Sequence, residues 1–242
     1  MWTSIRRTRA AHATRSRRVG VAVAVLACVG LAACTATEPP SPASTAEADT
    51  IAPFPERGVI DPGTYLVTGY PVPFEITVPD GWETFDEGAG LAKERVVFLT
   101  FWHTPYVPTN ACAWRDALVH IDPTAEAFVD AMTAQTSTAS TPPVKVMVGD
   151  YSGLEFDHAA ESDVDITDCD DGTLCIYSDS TQDCEGRRMS VTAGDRDTYR
   201  VVDLNGERAV IAVGQFDESI DPALTKEARA VFDSIEFVAP DE

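Results

Sequence analysis

Nucleophilic catalysis needs a serine or cysteine held beside a base, and the sequence offers no motif of that kind. G-x-S-x-G, S-x-x-K and a cysteine next to a poised histidine are all missing. Metal chemistry has no stronger signal. His103, His120 and His158 stand singly, without an H-E-x-x-H or H-x-H pair, and each is expected to be an ordinary polar or packed histidine. The acidic run 163–171, DVDITDCDD, followed by Gly172, has the carboxylates and the turn glycine that a hard cation requires. With Gly172 as the sixth residue of a calcium loop, however, Thr167 falls first, Cys169 third and Ser178, not a glutamate, twelfth. A solvated acidic loop is the expectation. The alternative is an irregular metal site using Asp163, Asp165, Asp168, Asp170 and Asp171. No cofactor is expected. Phe101, Trp102, His103, Tyr106 and Trp114 crowd into one stretch, and aromatics with polar tips build apolar pockets or carbohydrate platforms. Trp102, His103, Tyr106 and Trp114 are therefore the candidate ligand-binding residues, the alternative being that they cap a sheet near Cys112. With 39 acidic residues, any glycosidase-like carboxylate pair can be picked, so none is.

The strongest chemical signal is Leu31-Ala32-Ala33-Cys34, which resembles the lipobox of bacterial lipoproteins. Ahead of it lie Arg6, Arg7, Arg9, Arg15, Arg17 and Arg18, with no acidic residue, and then the apolar run 19–33, VGVAVAVLACVGLAA. Positive charge stays on the cytoplasmic side during insertion. The run is short of the ~20 residues that span a bilayer and suits a signal peptide. The resemblance implies diacylglyceryl attachment at the Cys34 sulfur, cleavage after Ala33, and anchoring at the extracytoplasmic face of the cell membrane. Ser16-Arg17-Arg18 hints weakly at twin-arginine export, because Gly20 stands where a second apolar residue is usual. Loss of the six arginines with the signal leaves 12 basic against 39 acidic residues, a formal charge of −27. Such a surface repels nucleic acid and anionic lipid head groups, so the membrane partner must be reached through the lipid. A small-molecule or protein partner in the envelope is left open.

Three segments follow: a signal peptide over 1–33, a lipidated cysteine with a disordered Pro/Ser/Thr/Ala-rich tether over 34–57, and one globular domain over 58–242. The tether composition cannot bury enough apolar surface to offset ordering entropy. Within the domain, Phe74, Ile76 and Val78 alternate with Glu75 and Thr77, the period of a half-buried strand. Residues 95–102, RVVFLTFW, read as a central strand. Asp122-Pro123 and Asp221-Pro222 read as helix caps with proline at the first helical position. Behind them Ala125, Phe128, Val129 and Met132, and Leu224, Ala228, Val231, Phe232 and Ile235, each form one apolar stripe. Strands over 144–148 and 153–156 flank a turn at 149–152. Asn205-Gly206 marks a hairpin with positive φ at both central residues. Glu236-Phe237-Val238 closes the chain as a strand. The fold class is α+β: a mainly antiparallel twisted sheet packed with two amphipathic helices and stapled by two disulfides.

Five motifs resemble those of a largely uncharacterised group of actinobacterial extracytoplasmic lipoproteins. They are Pro79-Asp80-Gly81-Trp82, Cys112-Ala113-Trp114, Cys169-Asp170-Asp171-Gly172, the hairpin from Asp203 through Gly206 and Arg208 to Ile211, and Asp233-Ser234-Ile235-Glu236-Phe237. The resemblance covers roughly residues 60–238 and implies an architecture similar to the Mog1/PsbP-like α/β/α sandwiches, with no catalytic motif to transfer. Cys175 and Cys184 depart from the group and imply an extra bridge. Cys112, Cys169, Cys175 and Cys184 allow three connectivities. A turn-forming centre between Cys175 and Cys184 predicts a hairpin that sets the two cysteines opposite one another and favours that local bridge, which leaves Cys112 for Cys169, the pair whose surroundings match the group. The main alternative joins Cys169 to Cys175 and Cys112 to Cys184. The function expected is a non-enzymatic, lipid-anchored binding or interaction module of the cell envelope. The runner-up is an envelope hydrolase whose site assembles from residues distant in sequence, and a third reading is an accessory domain of a membrane complex.

Overall fold

The β-rich sequence builds a broad sheet with a helix on each face. A computed structural model describes residues 51–94, 97–102, 104–181, 183–184, 188–190, 196–215 and 221–238. The signal peptide, Cys34 and most of the tether lie outside the described residues, as does His103. The large sheet runs, in spatial order, β10 (Thr138–Ser140), β12 (Tyr151–Ala160), β15 (Arg196–Asp203), β16 (Arg208–Gln215), β7 (Val97–Trp102), β6 (Gly90–Lys93), β5 (Glu83–Phe85) and β2 (Gly58–Val59). β11 (Val144–Val148) also pairs with β12 and forms its outer neighbour, with Val144 and Met147 exposed. A smaller sheet joins β1 (Ala52–Pro53), β3 (Gly63–Val67), β4 (Phe74–Val78) and β17 (Glu236–Phe237). Two ribbons complete the strands: β8 (Tyr106–Pro108) with β9 (Leu118–His120), and β13 (Leu174–Tyr177) with β14 (Arg188–Ser190). Among the described strands only β1 and β3 pair in parallel.

Side-chain alternation sends the large sheet into two cores. Val202, Ala209, Ile211, Leu99 and Phe101 face α2 (Pro222–Asp233) and, with Phe74, Ile76 and Val78 of the small sheet, form the first core. Tyr199, Val201, Val210, Ala212 and Phe156 face the other way, against Phe128, Val129 and Met132 of α1 (Ala125–Ala134). The first core explains two of the motifs. Trp82 is fully buried and donates its indole N–H to Glu227 Oε1 of α2 at 2.7 Å. Lys93 Nζ reaches the same oxygen at 2.6 Å. Ser234 Oγ links the end of α2 to Thr77 of β4, accepting its N–H at 3.0 Å, and Phe237 packs edge-on to Phe74.

The hairpin at Asn205-Gly206 has φ of 62° and 100°, the type I′ pattern expected. The β11–β12 turn is shorter than 149–152: Val148 pairs with Tyr151, leaving Gly149-Asp150 as the loop. Gly149, at φ 58°, lies so close to β17 that a Cβ there would sit 2.9 Å from the Phe237 carbonyl. Three other expectations need correction. Composition extends the tether to residue 57, but Ala52 and Pro53 already pair with Tyr65 and Leu66, and the Phe54 ring meets Tyr65 and Phe101 edge-on. A half-buried aromatic and an available sheet edge seat a segment that composition alone assigns to a linker. Helix α1 is capped by Thr124, whose hydroxyl accepts the Ala127 N–H at 3.2 Å, and not by Asp122-Pro123. The Asp122 carbonyl is engaged by Arg208 instead.

The third correction concerns how the local bridge is made. The disulfides are Cys112–Cys169 and Cys175–Cys184, with Cα separations of 4.5 and 5.9 Å. Cys175, however, pairs across the ribbon with Met189 rather than with Cys184. Cys184, which lies between the two strands in sequence, is bonded to Cys175 from outside that ladder.

Candidate functional site

The aromatic stretch does not gather into one platform. Phe101 belongs to the first core. Trp114, 4% exposed, packs against the Cys175–Cys184 bridge and donates its indole N–H to the Asp170 carbonyl at 3.2 Å. Tyr106 meets His120 edge-on, ring centroids 5.4 Å apart. The backbone of Trp102 pairs with Val210; its side chain, like His103, lies outside what is described.

The acidic loop is used for its own construction. Asp165 Oδ1 accepts the Thr167 N–H and hydroxyl, at 3.0 and 2.6 Å, which holds its carboxyl below the usual range. Asp170 Oδ2 accepts the Arg115 N–H at 2.9 Å, and Asp171 pairs with the Arg115 guanidinium. The loop thus clasps the Cys112-Ala113-Trp114 segment. Among the described residues no three His, Cys, Asp or Glu side chains converge as a metal site would require.

Two clusters missed at the level of sequence bring polar groups together inside the fold. The first joins β10, β12 and α1. His158, 2% exposed, shares a hydrogen bond with Ser140 Oγ at Nδ1, 2.8 Å, and meets Gln135 Oε1 at Nε2, 3.3 Å. Gln135 is itself oriented, because its amide nitrogen donates to the carbonyls of Pro108 and Ile176 at 2.9 and 3.0 Å. Its oxygen must therefore face His158, which assigns the imidazole proton to Nε2 and makes Nδ1 the acceptor of the Ser140 hydroxyl. That is the polarity of a nucleophile and its base, at the edge of a cleft of about 550 Å³. The electrostatics oppose such a role. Burial lowers the His158 pKa to about 4, against a smaller opposite pull from Asp197. A general base works best with a pKa near the operating pH. Protonating this ring at neutral pH would cost about 4 kcal/mol by the usual conversion. The cluster has the character of a lock between an edge strand, the sheet and a helix.

The second cluster lies where the β7–β8 connection, the β9–α1 connection and the β15–β16 hairpin meet. Thr104, Pro105, His120, Ile121, Pro123, Gly206, Glu207 and Arg208 line a cleft of about 560 Å³ there. Arg208 opens β16 and points to the α1 face, with its guanidinium 5.1 Å from the Phe128 ring centroid. It is 8% exposed. Its Nη2 donates to the Thr104 carbonyl at 2.6 Å, and its Nη1 to the carbonyls of Asp122 and, at 3.5 Å, Thr124. None of these partners carries charge. The Nε–H and the hydroxyl of Thr104, a residue 3% exposed, have no hydrogen-bond partner in the protein. Burial lowers the Arg208 pKa and the nearby Asp122 opposes that pull, yet a guanidinium keeps its proton in proteins. The cleft is therefore built around a buried cation with spare donor capacity. Strand alternation was the signal available in the sequence: Arg208 shares the face of Val210 and Ala212.

No known protein family matches the chain, and no curated protein does. Among solved structures it is similar to the solution structure of cyanobacterial PsbP (CyanoP) from Synechocystis sp. PCC 6803. The identity is 13%, over 75% of this chain and 95% of that one, with a TM-score of 0.38. It is also similar to a crystal structure from Bacteroides thetaiotaomicron VPI-5482, at 12% identity and TM-score 0.36. That match covers 76% of this chain and 51% of the other, so the chain spans about half its length. Likenesses this loose carry no argument about activity or ligand.

Proposed function

We propose that this chain is a lipid-anchored, extracytoplasmic binding module of the cell envelope, and not an enzyme. The observation that carries binding is Arg208: a buried guanidinium lining a cleft, solvated by carbonyls alone and with its Nε–H unspent. The lipobox at Cys34 supports the anchor. Two disulfides suit an oxidising compartment, and the acidic surface suits a soluble domain held by lipid rather than by charge. Two acyl chains, at ~0.8 kcal/mol per buried CH₂, hold a protein on a membrane where one would not.

Metabolic labelling with a clickable fatty acid tests the anchor. The wild type should take up label and Cys34→Ala should not; equal uptake by both would remove it. The rival hydrolase reading rests on the Ser140–His158 pair. A fluorophosphonate probe, which phosphonylates an activated serine with loss of fluoride, should leave Ser140 unmodified. Labelling that disappears in Ser140→Ala would replace the binding module with an enzyme.

A further inference from the structure

We infer that the Arg208–Thr104 cleft binds the carboxylate of a small, singly charged organic anion. This rests on the binding reading above and gives it a ligand class. The donors fit the task. A carboxylate accepts charge-assisted hydrogen bonds from a guanidinium, and these are about twice as strong as neutral ones. The Arg208 Nε–H and the Thr104 hydroxyl are both buried and both without a partner, on two residues joined by the 2.6 Å bond from Nη2 to the Thr104 carbonyl. Either group alone would be a local imperfection of packing. Both belong to residues that line one cleft, and a carboxylate that reaches these closed-off donors as the two side chains yield relieves the cost of leaving them unmade.

The cleft also limits the ligand. Pro105, Ile121 and Pro123 line it, which suits an apolar body attached to the carboxylate. Glu207 lines it too, and the side chain of neighbouring Asp122 is exposed. These carboxylates oppose a dianion more than a monoanion, so inorganic phosphate is the wrong ligand. The strong negative charge of the whole chain adds to that discrimination. Recognition here is short-range and depends on desolvated donors, not on steering.

The test uses the purified full chain with its cysteines oxidised and isotope-labelled, so that arginine Nε–Hε signals are resolved. The Arg208 signal is identified by its loss in Arg208→Lys. Sodium propionate is the probe, with propionamide, sodium chloride and inorganic phosphate as comparators. The Arg208 Nε–Hε signal should move saturably with propionate and not with propionamide or chloride. Thr104→Val keeps the shape and removes the hydroxyl, and it should weaken propionate binding roughly tenfold. No saturable movement in a folded spectrum overturns the proposal. So does undiminished binding by Thr104→Val, and phosphate bound as well as propionate overturns the monocarboxylate class. Should Arg208→Lys fail to fold, Thr104→Val still decides. A negative titration removes the carboxylate subsite and with it the support Arg208 lends to binding; the anchor and the hydrolase alternative stand or fall separately, on fatty-acid and fluorophosphonate labelling.

Discussion

Arg200 and Arg208 make a natural pair of opposites. They stand on adjacent strands of one sheet, 7% and 8% exposed, and each lies over a helix phenylalanine: Phe232 of α2 at 4.1 Å, Phe128 of α1 at 5.1 Å. Arg200 faces α2 and is fully engaged. Its Nε and Nη2 reach Glu155 Oε2 at 3.0 and 2.7 Å, Nη2 also reaches Asp233 Oδ1 at 2.8 Å, and Nη1 reaches the Phe232 carbonyl at 3.1 Å. Arg229 closes the cluster against Glu155 at 2.8 Å. Arg208 faces α1 with backbone carbonyls and no carboxylate. The same residue at the same depth is a lock where its charge is matched and a receptor where it is not.

The largest expected effect comes from Arg200→Met. It strips a partner from Glu155, whose side chain is 14% exposed, and breaking a buried pair typically costs 3–5 kcal/mol; the lower end, about 3 kcal/mol, applies because Arg229 remains. Arg208→Met strands no carboxylate and should cost less, about 2 kcal/mol, from the lost carbonyl hydrogen bonds. Urea midpoints of the two variants, compared at equal m-value, would reverse the contrast if Arg208 proved the costlier loss.

The staples sharpen the difference between the faces, since both lie on the α1 side. Cys112–Cys169 closes 57 residues and Cys175–Cys184 closes 9. Chain-entropy estimates give about 4 and about 3 kcal/mol. Double alanine variants should therefore melt in that order, the long bridge mattering more; the opposite order in calorimetry would point to strain or residual structure in the reduced chain.

Acid should act on the α1 face through His158. Its folded pKa, about 4, is below the unfolded value of 6.5. The unfolded chain then binds more protons between those values, so the stability is complete above pH 6.5 and is lost as pH falls toward 4. A displacement that size is worth about 3 kcal/mol. Asp233 on the α2 face is held low in spite of burial, by hydrogen bonds from Arg200 and Arg229, and its contribution fades only at more acid pH, as the carboxylate itself protonates. His158→Gln should flatten the stability profile between pH 4 and 6.5 relative to wild type, and an unchanged slope would take the acid response away from this histidine.

The smallest effect has the most diagnostic sign. Thr104→Val removes a buried hydroxyl that bonds to nothing, so the free protein should gain about 1 kcal/mol. Destabilisation would show that the hydroxyl has a partner in solution.

The α2 face was the more legible from sequence. Asp221 caps its helix through the Ala223 N–H, Pro222 opens it, and Leu224, Ala228, Val231, Phe232 and Ile235 are buried as the 3.6-residue period requires. Local chemistry sufficed there because cap, stripe and closing strand are contiguous. The α1 face was half-legible. Its apolar stripe was found, but the cap was misplaced by two residues because Arg208, far along the chain, engages the Asp122 carbonyl. The site was the least legible part. Thr104 and Arg208 are 104 residues apart, and in a chain with 39 acids an arginine reads as a solvated partner for one of them. Only alternation beyond the Asn205-Gly206 turn pointed it inward. Gln135, which orients His158, offered no signal at all, since the partners that fix its amide nitrogen are backbone carbonyls from two other segments.

The outer strand Val144–Val148 has a colloidal consequence. Its outward edge presents peptide groups unpaired by any described strand, alongside the exposed side chains of Val144 and Met147. Such an edge is a template for another copy of itself, and lysine on an edge is one way proteins blunt it. Lys145 is the charge this strand carries. The other guard is the formal charge of −21 on the whole chain, which keeps copies apart by repulsion. That repulsion reaches only ~8 Å at physiological ionic strength and ~3 Å in molar salt. Concentrated brine, usually kind to acidic proteins, is therefore the solvent in which this one should first lose its dispersion.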